Sequence, residues 1–101
     1  MKNRDYNFYV YILTNYTKKV FYIGVTNSLI ARINIHKEKI NKNSFTSKYN
    51  CVYLVYYEHF TYYYTAFLRE KQLKKWRREK KANLINKFNP DWKDLYGLIT
   101  G

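Results

Sequence analysis

The chain divides into three short runs with no polar alternation and two stretches of helical period. Residues 8–13, Phe-Tyr-Val-Tyr-Ile-Leu, are aromatic and β-branched throughout, the composition of a strand covered on both faces. Residues 20–25, Val-Phe-Tyr-Ile-Gly-Val, repeat that character after Asn15-Tyr16-Thr17-Lys18, and residues 51–58 supply a third such run. If those four loop residues join the first two strands, Thr14 opposes Lys19 and Tyr11 opposes Tyr22. The two tyrosines would then be direct cross-strand neighbours on one face.

The second strand stops at Thr26-Asn27 and turns straight into a helix, expected from Asn27 as N-cap to about residue 40. Leu29, Ile33 and Ile40 form its core-facing stripe, and Arg32 and His36, four apart, lie on the flank. Residues 41–50 are small, polar and lysine-bearing, a surface loop of the kind that contacts phosphate. A long helix is expected from about 61 or 65 to 81, with Ala66, Leu73 and Trp76 toward the core. A short helix or turn over 83–89 is halted by Pro90, and a last helical turn or two covers 91–96. The order β-β-α-β-α-α predicts an α+β fold, a three-stranded antiparallel sheet flanked by helices. With 101 residues, one domain over 1–101 is expected.

Charge narrows the partners. Nineteen basic against seven acidic residues give +12 and a pI near 9.8, and residues 69–81 alone hold eight basic and two acidic side chains. So basic a domain attracts a polyanion, most simply a nucleic-acid backbone. An anionic membrane surface competes, but no segment has the apolar length to span a bilayer. Lys2 and Arg4 precede an apolar run too short for a signal-peptide core. One cysteine, Cys51, excludes an internal disulfide and a Cys-based zinc cluster. A cytoplasmic protein is expected, with Cys51 a small buried hydrophobe.

Glu70 falls four after Ala66 and three before Leu73, on the edge of the apolar stripe. A carboxylate there is costly unless it is paired or binds a cation. It is either the partner of Arg77 or Arg32, a solvated residue at the rim, or a ligand for Mg²⁺ or a similar hard cation. The other candidates also read two ways. Tyr11 and Tyr22 are two of thirteen tyrosines and fit sheet packing as well as a site. Arg32 is a solvated helix residue or a phosphate clamp. His36 is a boundary histidine or a proton acceptor, and the basic run is a solvated face or a phosphate-facing one.

Together these features resemble the GIY-YIG nuclease family. Its first motif is seen in Tyr9-Val10-Tyr11 and its second in Tyr22-Ile23-Gly24. Its arginine helix is seen in Asn27-Ser28-Leu29-Ile30-Ala31-Arg32 with His36. Arg69-Glu70-Lys71-Gln72-Leu73-Lys74-Lys75-Trp76 is similar to the segment that holds the family's glutamate. The ending Asn89-Pro90-Asp91-Trp92-Lys93-Asp94-Leu95 is like that of small single-domain members. Tyr9 replaces the first motif's glycine.

The resemblance implies a metal-dependent endonuclease that hydrolyses phosphodiester bonds of DNA, with RNA not excluded, in repair, recombination or processing. It implies one divalent ion, Mg²⁺ or Mn²⁺, on Glu70, with Asn89 a possible accessory. Tyr11 would be the general base, Tyr22 a positioning group, Arg32 the phosphate clamp and His36 a proton acceptor. Lys48, Lys74, Lys75, Arg77 and Arg78 would hold the backbone. The alternatives are a non-catalytic basic nucleic-acid-binding domain and a basic scaffold for an acidic protein. Oligomeric state is left open.

Overall fold

The computed structural model of the chain describes residues 6–39 and 41–101. Three strands, β1 (Phe8–Thr14), β2 (Phe21–Thr26) and β3 (Tyr53–Phe60), form an antiparallel sheet in the order β2-β1-β3. The helices are α1 (Leu29–Lys37), α2 (Phe45–Lys48), α3 (Tyr63–Lys75), α4 (Arg78–Phe88) and α5 (Tyr96–Thr100). The α+β arrangement expected from the sequence is present, with α2 and α5 as short additions. Among the described residues no helix is long and apolar enough to cross a membrane.

The central strand β1 is unalternating because both its faces are covered. On one face Val10 and Ile12 pack with Ile23 of β2 and with Ala66, Leu73 and Ile85 of α3 and α4. On the other, Tyr11 and Leu13 pack with Leu29 and Ile33 of α1 and with Leu54 of β3. A bulge serves this division. Ile12 opposes Tyr56 and Leu13 opposes Leu54, so Val55 is the extra residue. Val55 and Tyr56 therefore both face α3 and α4, while Leu54 faces α1.

The β1–β2 register differs from the four-residue-loop expectation by two positions. Thr14 opposes Phe21, not Lys19; Leu13 opposes Tyr22, and Tyr11 opposes Gly24. The reason lies in the loop, where the Asn15 side-chain oxygen accepts from the amides of Lys19 (3.0 Å) and Val20 (3.2 Å). The Thr14 hydroxyl donates to the Val20 carbonyl, and Lys18 takes a left-handed φ of 63°. A shift of two keeps every side chain on its expected face. Tyr11 and Tyr22 are thus diagonal rather than direct neighbours, with ring centroids 6.2 Å apart.

Helix boundaries also differ. Ser28, not Asn27, occupies the N-cap of α1, because the Thr26 hydroxyl already accepts from the Ser28 amide at 3.0 Å. The helix ends at Lys37, with Lys39 at a positive φ of 51°; Lys2, Arg4 and Ile40 lie outside the described residues. The supposed loop 41–50 contains α2, capped by the Ser44 hydroxyl accepting from the Ser47 amide. The third strand is displaced from 51–58 to Tyr53–Phe60.

The long basic helix is two helices. Trp76 and Arg77 are extended, with ψ of 150° and 157°, and α4 folds back over the sheet. A straight helix would carry Ile85 about 18 Å beyond Leu73 and off its face; the break returns Ile85 to Leu73's core. The expected helix over 91–96 is instead an irregular tie leading to α5, with a turn at Pro90-Asp91 and Trp92 at a left-handed φ of 54°. The Asp94 carboxylate accepts from the Leu54 and Tyr96 amides and pairs with Lys37 at 2.6 Å. The Leu95 amide donates to the Leu54 carbonyl, so this segment covers part of the β3 edge.

Candidate active site

Gly24 fixes the position of the central hydroxyl. It lies opposite Tyr11 in the sheet, and a Cβ at Gly24 would come 2.5 Å from the Tyr11 oxygen and 2.6 Å from its ring carbon Cζ. The absent side chain is the space in which the phenol lies. Tyr11 is fully buried. Its hydroxyl is 3.1 Å from Nε2 of His36, whose Nδ1 is 2.8 Å from the Thr46 hydroxyl. The Thr46 hydroxyl is in turn 3.2 Å from that of Ser44. A line of exchangeable protons therefore runs from β1, through α1, to the first turn of α2.

Electrostatics determine how this line can act. Burial, then the neighbouring Tyr22, push the Tyr11 phenol well above its ordinary range, and Arg32 opposes them. Burial, then the Arg32 charge, hold His36 below its usual 6.5. At neutral pH both groups are uncharged. A neutral imidazole with Nδ1–H donating to Thr46 presents Nε2 as acceptor for the Tyr11 hydroxyl.

Four of the expected residues therefore meet on the α1 face. Tyr11 and Tyr22 come from the sheet, and Arg32 and His36 from consecutive turns of α1, with the Tyr22 and His36 rings 5.4 Å apart. Arg32 is exposed, so its guanidinium is available to a ligand.

Glu70 comes from the other side, on α3, which packs across β1 and β2. It is buried at 9% exposure. Its partner is neither Arg77 nor Arg32 but Lys74, one turn on, at 2.8 Å. Lys74 lines a groove of about 320 Å³ along the open β2 edge, together with Tyr22, Phe45 and Lys81. Glu70's partner thus shares a groove with one of the two tyrosines. Among the described residues no group of three or more His, Cys, Asp or Glu side chains could cage a metal. A single carboxylate whose partner lysine opens on a groove suits a hydrated hard cation such as Mg²⁺, which often takes one or two carboxylates and keeps its waters.

The remaining candidates divide. Lys48 is exposed on α2, its Nζ 5.7 Å from the Tyr49 ring. Lys75 and Arg77 line a separate outer cleft with Trp76 and Lys80. Arg78 donates to the Lys18 carbonyl and stacks 4.3 Å over Phe21, which ties α4 to the β1–β2 loop. Asn89 is a clamp on the β3 side: its amide donates to the Val55 and Lys93 carbonyls, and its oxygen accepts from the Lys93 amide. Tyr9 packs edge-on against Tyr57 and beside His59.

Sequence reasoning passed over Thr46, Ser44 and Phe45. The available signal was Ser44 three residues before Ser47, an N-cap spacing inside what reads as a loop. A family model described as GIY-YIG catalytic domain matches residues 7–86, which takes in the whole sheet, α1, α2, α3 and most of α4. No curated protein and no solved structure matches the chain. Matched over most of its length, with the tyrosine, arginine and glutamate segments in that order, the chain belongs to the GIY-YIG nuclease family.

Proposed function

We propose that the chain is a divalent-metal-dependent endonuclease hydrolysing phosphodiester bonds of DNA, directed by backbone and strand structure rather than base sequence. The observation that carries the reading is the Tyr11 hydroxyl, seated over Gly24 and 3.1 Å from Nε2 of His36. A phenol raised so far does not wait as phenolate. It takes a proton from the attacking water as it passes its own to His36, whose Nδ1–H remains on Thr46. Tyr22 orients the water or phosphate from the next position on that face. Arg32 clamps the non-bridging oxygens, where a bidentate guanidinium meets the charge that grows in the transition state.

Glu70 would hold one Mg²⁺ or Mn²⁺, which when bound supplies Lewis acidity to the scissile phosphate and neutralises the leaving oxygen. Lys74, about half exposed, would release the carboxylate and turn to the DNA backbone. Lys48, Lys75, Arg77 and Arg78 would add contacts that position the strand without reading it.

The test is supercoiled plasmid incubated with wild type and Glu70→Gln, with and without Mg²⁺ or Mn²⁺. Nicking by wild type with metal alone, lost in the variant while DNA binding persists, is the expected result. Binding by both with cutting by neither, on plasmid and on branched DNA, would make the domain a binder.

A further inference from the structure

At the mouth of the groove beside Tyr22, two large aromatic rings lie open to solvent. Phe45 is 45% exposed and Tyr49 is 42% exposed, although a short helix next to a sheet edge could have turned both inward. Their rings are 4.8 Å apart, and Phe45 in turn lies 6.1 Å from Tyr22 with 31° between the planes. Three rings thus run in series from the tyrosine of the site outward along α2. Cations border the series. Lys48 lies over Tyr49, and Lys74 and Lys81 share the groove with Phe45.

Exposed aromatic rings interleaved with lysines beside an edge groove are suited to a particular ligand. Every base has a π-face that stacks on such a ring, and the adjoining phosphates pair with the lysines. A base inside a continuous duplex has both faces occupied by its neighbours and offers none. We infer that Phe45 and Tyr49 form a stacking platform for an unpaired base adjoining the phosphate held at Arg32, so that the site takes single-stranded or locally unpaired DNA in preference to continuous duplex. The inference rests on the nuclease reading for what the neighbouring site does, but the platform itself is a binding surface and is measured as one.

The test is fluorescence anisotropy in EDTA, where nothing need be cut, with a labelled twelve-nucleotide oligo-dT and a duplex of equal length. Base–aromatic stacking of about 1–3 kcal/mol per base predicts that Phe45→Ala weakens oligo-dT binding roughly 5- to 150-fold. Phe45→Trp should restore the affinity, and both variants should bind duplex within about twofold of wild type. Tyr49→Ala, whose ring does not touch Tyr22, should weaken oligo-dT binding in the same direction without disturbing the site. An abasic residue in the oligonucleotide at the stacking position should penalise wild type but not Phe45→Ala. The inference is overturned if single-strand and duplex affinities fall together, or if Phe45→Trp fails to restore binding. It is equally overturned if the rings prove to cover a second copy of the chain, seen as a dimer that Phe45→Ala dissociates with oligo-dT binding unchanged. A wild type that shows the stacking pattern but never nicks DNA would remove the nuclease reading and leave the platform standing.

Discussion

On the α1 face of the sheet, Tyr11, His36, Thr46 and Ser44 hold one another in an unbroken polar line. On the α3 face the core is apolar, and the carboxylate at its rim, Glu70, has a lysine with about half its side chain in water. Burial has different consequences for the two. The buried hydroxyl and the half-buried imidazole stay uncharged and take fixed partners, because an unpartnered polar group there would be costly. Glu70 faces a partner half in water, so another cation reaching the carboxylate can take the lysine's place. One face holds its polar groups in fixed geometry and the other leaves its carboxylate with an exchangeable partner, and the proposed metal-assisted hydrolysis would use both.

The sharpest way to break this contrast is Tyr11→Phe. Removing one oxygen from the polar line should lower nicking about 10²- to 10⁴-fold. Stability should fall by only about 0.5–1.5 kcal/mol in urea titration, the worth of the hydrogen bond lost at His36 Nε2, because the ring and its packing remain. The opposite pattern belongs to Leu73→Ala on the α3 face, where a cavity should cost about 2–5 kcal/mol of stability in urea titration. Activity per folded molecule should stay near wild type. If Leu73→Ala abolished activity in conditions where it is folded, the two faces would not be separable.

The unequal legibility of the faces in the sequence follows from the same contrast. Apolar runs announce strands, so the sheet and its covered central strand were readable, and Tyr-Ile-Gly, Arg32 and Glu70 stand in an order that carried the family. The partner of Tyr11 in the sheet was not readable, because the register depends on Asn15 capping two loop amides, a contact that loop length alone does not specify. Thr46 lay in a polar stretch that composition presents as a loop; its role exists only once α2 has folded against α1. The break at Trp76 was hidden because helical periodicity continues through it, and only the need of Ile85 for the core interrupts it. Asn89 resembled a site residue by position, but its amide and oxygen hold the Val55 and Lys93 backbone.

Gly24→Ala tests the contact between strand and site. The new Cβ would meet the Tyr11 oxygen and Cζ, and a fully buried ring has little room to withdraw. A loss of about 1–3 kcal/mol in urea titration is expected, together with the loss of nicking. Adding Tyr11→Phe should recover only part of the stability, since Cζ still lies 2.6 Å away. Thr46→Val should have a smaller effect, about 0.5–1.5 kcal/mol because the half-buried His36 can take water at Nδ1, with nicking reduced roughly tenfold. Thr46→Ser should restore both. A restored fold without restored rate would mean that Thr46 packs rather than orients the imidazole.

The smallest effect is also the most diagnostic, because it reads the proton acceptor directly. His36 is held below 6.5 by burial first and by Arg32 second. Its imidazole should therefore titrate below 6.5 by NMR, and nicking should fall with falling pH over the same range as Nε2 becomes protonated. Stability should fall there too, since between 6.5 and the lower folded value the unfolded chain binds the extra proton. Arg32→Gln removes the lesser of the two causes, so the midpoint should rise but remain below 6.5. A full return to 6.5 would mean that the guanidinium rather than burial keeps His36 neutral. His36 would then gain a proton readily when a phosphate neutralises Arg32, and the relay from Tyr11 would close at the moment it was needed.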